Sequence, residues 1–182
     1  MEFKKIQLNG FKSFAEKTNF LIEDGLTGIV GPNGCGKSNI VESLRWAMGE
    51  TSAKSMRGSG MEDVIFNGTS NKPSKNIAEV SIIVENENHE GPILYKEMDH
   101  IEVRRKIEKD KGSKFYINDK EVRARDAQMF FADLSTGAHS PSMISQGRIG
   151  ALVTAKPTDR RAILEEAANI SGLHVRRHEA EL

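Results

Sequence analysis

Gly31-Pro32-Asn33-Gly34-Cys35-Gly36-Lys37-Ser38 meets the pattern G-x-x-x-x-G-K-[ST] at every position and follows directly on the apolar run Leu26-Thr27-Gly28-Ile29-Val30. Strand, glycine-rich loop and helix in that order are the context a phosphate-binding loop requires. The glycines let the backbone turn its N–H groups inward on an anion, and the following helix points its positive dipole end at the same place. Lys37 adds a mobile cation for β- and γ-phosphates, and the Ser38 hydroxyl is a ligand for Mg²⁺. Ile40, Val41, Leu44, Ala47 and Met48 recur at the spacing of one buried helical face, and Gly49 is placed to end that helix. The stretch implies a nucleotide-binding protein.

Outward from the loop, the bulk properties narrow the class. A chain of 182 residues is long enough for one well-buried core. Its formal charge is zero, which argues against a globally basic nucleic-acid binder and leaves only local patches. Such segregation exists: Ile101 to Arg125 holds nine Lys/Arg against five Asp/Glu, whereas Glu85 to Glu102 holds six acids against one lysine. Cys35 is the only cysteine, so an intrachain disulfide and a Cys-based zinc site are both excluded. No apolar run approaches the ~18 residues of a membrane span, and Met1-Glu2-Phe3-Lys4-Lys5 lacks a signal-type stretch. A cytosolic protein is expected.

Residues 1–30 read as two or three short strands, around Phe3, Ile6 and Leu8, around Phe20-Leu21-Ile22, and at Leu26–Val30, with turns at Asn9-Gly10 and Glu23-Asp24-Gly25. Phe11 and Phe14 between the first two are expected to pack in the core. Residues 50–63, rich in Ser, Gly and Thr, read as a surface loop, and Val64-Ile65-Phe66 as a short buried strand. Ala78, Val80, Ile82 and Val84 alternate with Glu79, Ser81 and Ile83, so this segment is a strand with one apolar face. Its end, Glu85-Asn86, lacks the Asp–Glu pair of a Walker B element. Ile101, Val103, Arg105 and Ile107 lie on one side of a further strand, with Glu102, Arg104 and Lys106 on the other. Phe115-Tyr116-Ile117 returns beside it as a hairpin with a basic face, where lysines guard an edge more often than they bind DNA. Ala127, Phe130, Phe131 and Leu134 follow the i, i+3, i+4, i+7 rule of an amphipathic helix. Thr158 or Asp159 is placed to cap a last helix carrying Ile163, Leu164, Ala167, Ala168 and Ile170, with Pro157 just outside it.

Phe11-Lys12-Ser13-Phe14, the phosphate loop with Asn39-Ile40, Ser43-Leu44-Arg45-Trp46, Met56-Arg57-Gly58, Asp63 to Gly68, Ser145-Gln146-Gly147 and Glu165-Glu166-Ala167-Ala168 occur in an order and spacing that resembles the N-terminal head segment of structural maintenance of chromosomes (SMC) proteins. The bacterial chromosome-partition and condensation branch is the most similar. The resemblance implies an α/β fold of the P-loop NTPase, ABC-ATPase type. It would be the N-terminal half of a head, a mixed sheet with antiparallel β-hairpins plus the P-loop helix, ending at the start of a coiled coil. Residues 1–172 would form the half-head and 173–182 the beginning of the coiled-coil neck.

By the same resemblance, ATP would be held by Lys12, Ser13, Gly31, Pro32, Asn33, Gly34, Cys35, Gly36, Lys37, Ser38, Asn39, Asp63 and Gln146. Mg²⁺ would be held by Ser38 and Gln146, and Arg57 would link the site to DNA. Walker B and the signature motif are absent, so this chain would contain no catalytic residue of its own and turn over little ATP by itself. Its expected partners are the C-terminal half of its own head, a second SMC head in a homodimer, DNA and a kleisin-type subunit, with no membrane. The expected setting is the cytoplasm at the nucleoid. The competing readings are an SMC-like DNA-repair ATPase, a self-contained P-loop phosphotransferase and a non-catalytic binding module. A GTPase is disfavoured because Asn71-Lys72-Pro73-Ser74 lacks the Asp that reads guanine.

Overall fold

The computed structural model describes residues 1–89, 91–134, 143, 153–158 and 160–161. Six strands form one sheet: β1 (Glu2–Asn9), β2 (Thr18–Leu21), β3 (Ile77–Glu85), β4 (His100–Glu108), β5 (Gly112–Ile117) and β6 (Lys120–Val122). Their order is β2-β1-β3-β4-β5-β6, and every neighbouring pair is antiparallel. The period-two alternation fixes the register. Ile82 lies between Ile6 and Val103, and Val80 between Leu8 and Arg105, so the apolar residues of three strands share one face. Helix α1 (Lys37–Ala47) packs on that face against β3 and β4, and α2 (Ala124–Asp133) against β5. Ala127, Phe130 and Phe131 are the buried residues of α2, as its spacing predicts.

Four expectations need correction. Leu26–Val30 forms no strand. A strand needs a ladder partner, and none of the six strands pairs with this run; Leu26 and Val30 are 99% and 94% exposed. Val64–Phe66 is buried but is not a strand: Met61–Val64 is a 3-10 turn, and Ile65 makes a single bridge to Phe11. On α1 the predicted stripe holds at Ile40, Ala47 and Met48 but not at Val41, which is exposed, and Glu42, Ser43 and Trp46 join the buried face. Ser43 tolerates burial because its Oγ donates to Ile40 O at 2.7 Å. Near the far end of the described chain, Pro157 and Thr158 are already helical, so Pro157 stands inside the first turn, a position suited to a residue without an N–H. The residues expected to carry that helix onward, Ile163 to Ile170, lie outside the described residues, as do residues 173–182.

Glu85, at the end of β3, is ion-paired with Lys4 at 3.1 Å, in keeping with a strand that is not Walker B. The basic hairpin face is largely neutralised pair by pair: Arg104 with Asp119 at 2.6 Å and Lys114 with Glu121 at 3.0 Å.

Arg105 is the exception to the apolar face, and it fixes α1 to the sheet. Its guanidinium lies 4.5 Å from the Trp46 ring centroid and 4.6 Å from that of Phe115. It donates to Trp46 O at 2.8 Å, Glu50 O at 2.7 Å and Ser113 Oγ at 2.7 Å. The first two acceptors lie at the negative end of α1, where a cation is favoured. Burial lowers the Arg105 pKa to about 10, which still leaves it charged at neutral pH.

Candidate nucleotide site

The glycine-rich loop leads into α1 through Gly36, whose φ of +95° is left-handed. A side chain there would be strained, and its Cβ would overlap Ser13 Oγ, so this position requires glycine. Gly34 is also left-handed, with open space where a Cβ would be. No side chain caps the N-terminus of α1 and no acid stands in its first turn, which leaves its positive end clear for an anion. Lys37 folds back over the loop and donates to Gly31 O at 2.5 Å and Pro32 O at 2.6 Å, with Cys35 Sγ 3.9 Å away. The site therefore fits a phosphate group: a glycine cradle, an uncapped helix start and an ammonium at its mouth.

The segment containing Lys12 and Ser13 is pressed against this loop. Phe11 and Phe14 exchange backbone hydrogen bonds at 3.1 and 2.8 Å, closing a tight turn in which Lys12 has φ +46°. Phe11 is fully buried and packs against Trp46 with ring centroids 5.5 Å apart and planes tilted by 49°, while Phe14 meets Phe20 edge-on at 5.7 Å, as core residues would. Lys12 N donates to Val64 O at 2.7 Å and Phe66 N to Gly10 O at 2.8 Å, which ties the turn to the Met61–Val64 segment. Ser13 Oγ then accepts from Asn39 Nδ2 at 2.9 Å, joining the turn to the first turn of α1.

Glu42 is the site residue that the sequence reading missed. It is buried on α1, and its two carboxylate oxygens take different cations: Oε2 accepts from Lys12 Nζ and Oε1 pairs with Arg57. Lys12 also donates to Met56 O. An unpaired carboxylate would be costly to bury, and two cations offset that cost. The only sequence signal was an acid one helical turn after Ser38.

Asp63 is spent locally. Its Oδ2 accepts from Ser59 N at 2.6 Å, Ser59 Oγ at 2.8 Å and Gly60 N at 3.0 Å. Those bonds, led by that from Gly60, hold its carboxyl below the usual range, so the turn they build is kept above that range and lost in strong acid. Arg57 and Asp63 both line a polar cleft of about 490 Å³ with Lys75 and Lys109. Among the described residues no group of three or more His, Cys, Asp or Glu side chains is placed to hold a metal, so Ser38 is the one described Mg²⁺ candidate. Gln146 lies outside the described residues.

A loop of this pattern opening a helix against a sheet defines the phosphate-loop class of nucleotide-binding folds, here of the ABC-ATPase type. The chain belongs within it to the RecF/RecN/SMC N terminal domain family, whose model matches residues 2–148. It is 57% identical over its full length to the Chromosome partition protein Smc of Cereibacter sphaeroides, and it spans 16% of that protein. The Smc head domain of Pyrococcus furiosus, solved with an extended coiled coil and bound to the C-terminal domain of ScpA, superposes with a TM-score of 0.85. The two are 30% identical, over 98% of this chain and 44% of that one. A chain from structural work on ATP-driven dimerization and DNA-stimulated activation of SMC ATPases gives a TM-score of 0.77 at 32% identity, over 92% of this chain and 99% of that one.

Proposed function

We propose that this chain is the ATP-binding N-terminal half of an SMC head, and that the full-length protein uses ATP-driven engagement of two heads to organise and partition chromosomal DNA. The observation that carries the reading is the phosphate cradle, with its left-handed glycines, its uncapped helix start and Lys37 folded over the loop. The likeness to a solved SMC ATPase chain of almost the same extent supports the half-head division. In this reading residues 1–172 are the half-head and 173–182 begin the coiled coil.

Loop N–H groups and Lys37 bind and orient the triphosphate, Ser38 and Gln146 offer oxygen ligands to Mg²⁺, and Lys12, Ser13, Asn39 and the Asp63 segment wall the site. Arg57 couples the site to DNA. ATP supplies the phosphoanhydride bond, while the acid that activates water and the signature motif come from the C-terminal half and from a second head. Kleisin binding is inferred from the ScpA-bound relative. A cytoplasmic, nucleoid-associated setting follows from DNA as partner, and no described helix is long and apolar enough to cross a membrane. A self-contained phosphotransferase is less well supported, because the sequence offers no constellation for binding a nucleophile beside the phosphate loop.

The test is ATP binding and steady-state turnover by this chain alone with Mg²⁺, using Lys37→Ala as control. Binding with negligible turnover, lost in the variant and converted to turnover by adding the C-terminal half, is expected. Robust Lys37-dependent turnover by the chain alone overturns the half-head reading.

A further inference from the structure

We propose that Glu42 is a positioning residue: a counter-ion latch that holds Arg57 away from the phosphate site in the nucleotide-free protein and yields it to a bound triphosphate. The proposal rests on the ATP-binding reading above and assigns a role to a residue outside the phosphate-loop pattern.

The two partners of Glu42 differ in a way that separates a fixed arm from an exchangeable one. The Lys12 side chain is 14% exposed and has a second acceptor in Met56 O, so it is enclosed whatever Arg57 does. The Arg57 side chain is 59% exposed, and Glu42 is its ion-pair partner among the described residues. Arg57 also follows the Lys54–Met56 turn with φ +53°, and Lys12 has φ +46°. Both cations that meet on Glu42 thus stand in a left-handed conformation that non-glycine residues seldom adopt, which marks a constrained arrangement.

Position supplies the competitor. Glu42 follows Ser38 by four residues and Asn39 by three, so it lies on the helix face that carries the Ser38 hydroxyl, about one 5.4 Å turn from the loop. Lys12 adjoins Ser13, which touches both Asn39 and the Gly36 position. A triphosphate seated in the loop therefore places several negative charges within reach of an arginine whose carboxylate partner is fixed one turn away. Arg57 exchanges one anion for another, and the loop that carries it, residues 53–60, moves with it. Lys12 stays on Glu42 and keeps the carboxylate paired.

The test uses the full-length protein with Glu42→Gln, Glu42→Asp, Arg57→Ala and the Glu42→Gln/Arg57→Ala double variant. Without nucleotide, amide hydrogen exchange is followed in residues 53–60 and, as a folding control, in β3 and β4. Glu42→Gln is expected to speed exchange in 53–60 while the strands keep their protection, and Glu42→Asp, which keeps the charge, to restore slow exchange. With Mg²⁺ and a fluorescent ATP analogue, Glu42→Gln is expected to bind about fivefold more tightly, and the double variant to match Arg57→Ala. Unchanged exchange in 53–60, or an affinity change that persists without Arg57, overturns the latch. Should the wild-type protein bind no ATP, the functional reading fails by itself and the nucleotide-free exchange still decides whether Glu42 holds Arg57.

Discussion

The sheet with its two helices and the segment that leads into the phosphate loop treat apolar residues in opposite ways. On β1, β3 and β4, Ile6, Leu8, Val80, Ile82, Val84, Ile101, Val103 and Ile107 are buried under α1 and its neighbours. Some twenty residues before Trp46, Leu26 and Val30 are as apolar and stand in solvent. The difference is not composition but the presence of a ladder partner. Each core strand has a paired neighbour, whereas the loop segment has none among the described residues. Burial energy attaches to a pattern only once another element covers it.

Trp46→Ala should have the largest effect. Trp46 is fully buried between Phe11 and Arg105, and its loss should cost about 3–5 kcal/mol in urea unfolding followed by far-ultraviolet circular dichroism. Gly36→Ala comes next. Forcing a side chain into the left-handed region costs about 1–2 kcal/mol, and the overlap with Ser13 should abolish ATP binding while leaving the unfolding transition cooperative. A destabilisation as large as that of Trp46→Ala would mean that the loop belongs to the core's cooperative unit, and the contrast would fail. Leu26→Ser with Val30→Ser should do least, shifting unfolding by at most about 0.5 kcal/mol and reducing self-association in sedimentation. A marked loss of stability would show that the run is covered in solution.

Much of the sheet was legible because alternation is a local signal. Residues 78–84 and 101–107 carry it in full, and even Arg105 was assigned to the apolar side, which marked a charge at a core position. The glycine loop and α1 were legible for the same reason, since their pattern lies within one short stretch. The strand expected at Leu26–Val30 was not met, because a run of apolar residues states a preference while its partner lies elsewhere. The Lys12–Glu42–Arg57 group was invisible: its members stand 30 and 15 residues apart, and nothing in the spacing says that two loop cations converge on one helix acid. The helical spacing of apolar residues put Val41 inward, whereas Ser43 and Glu42 hold buried positions because their polar atoms have partners.

The grip of Arg105 on the far end of α1 has a mechanical consequence. An 11-residue helix is about 16 Å long, and this one is clamped at its front by Ser13, midway by Lys12 and Arg57, and at its back by the guanidinium on Trp46 O and Glu50 O. A rod fastened at three points cannot absorb a displacement by pivoting at one of them. Any movement of its loop end must therefore break one of these contacts or be felt where Arg105 ties the helix to β4 and, through Ser113, to β5.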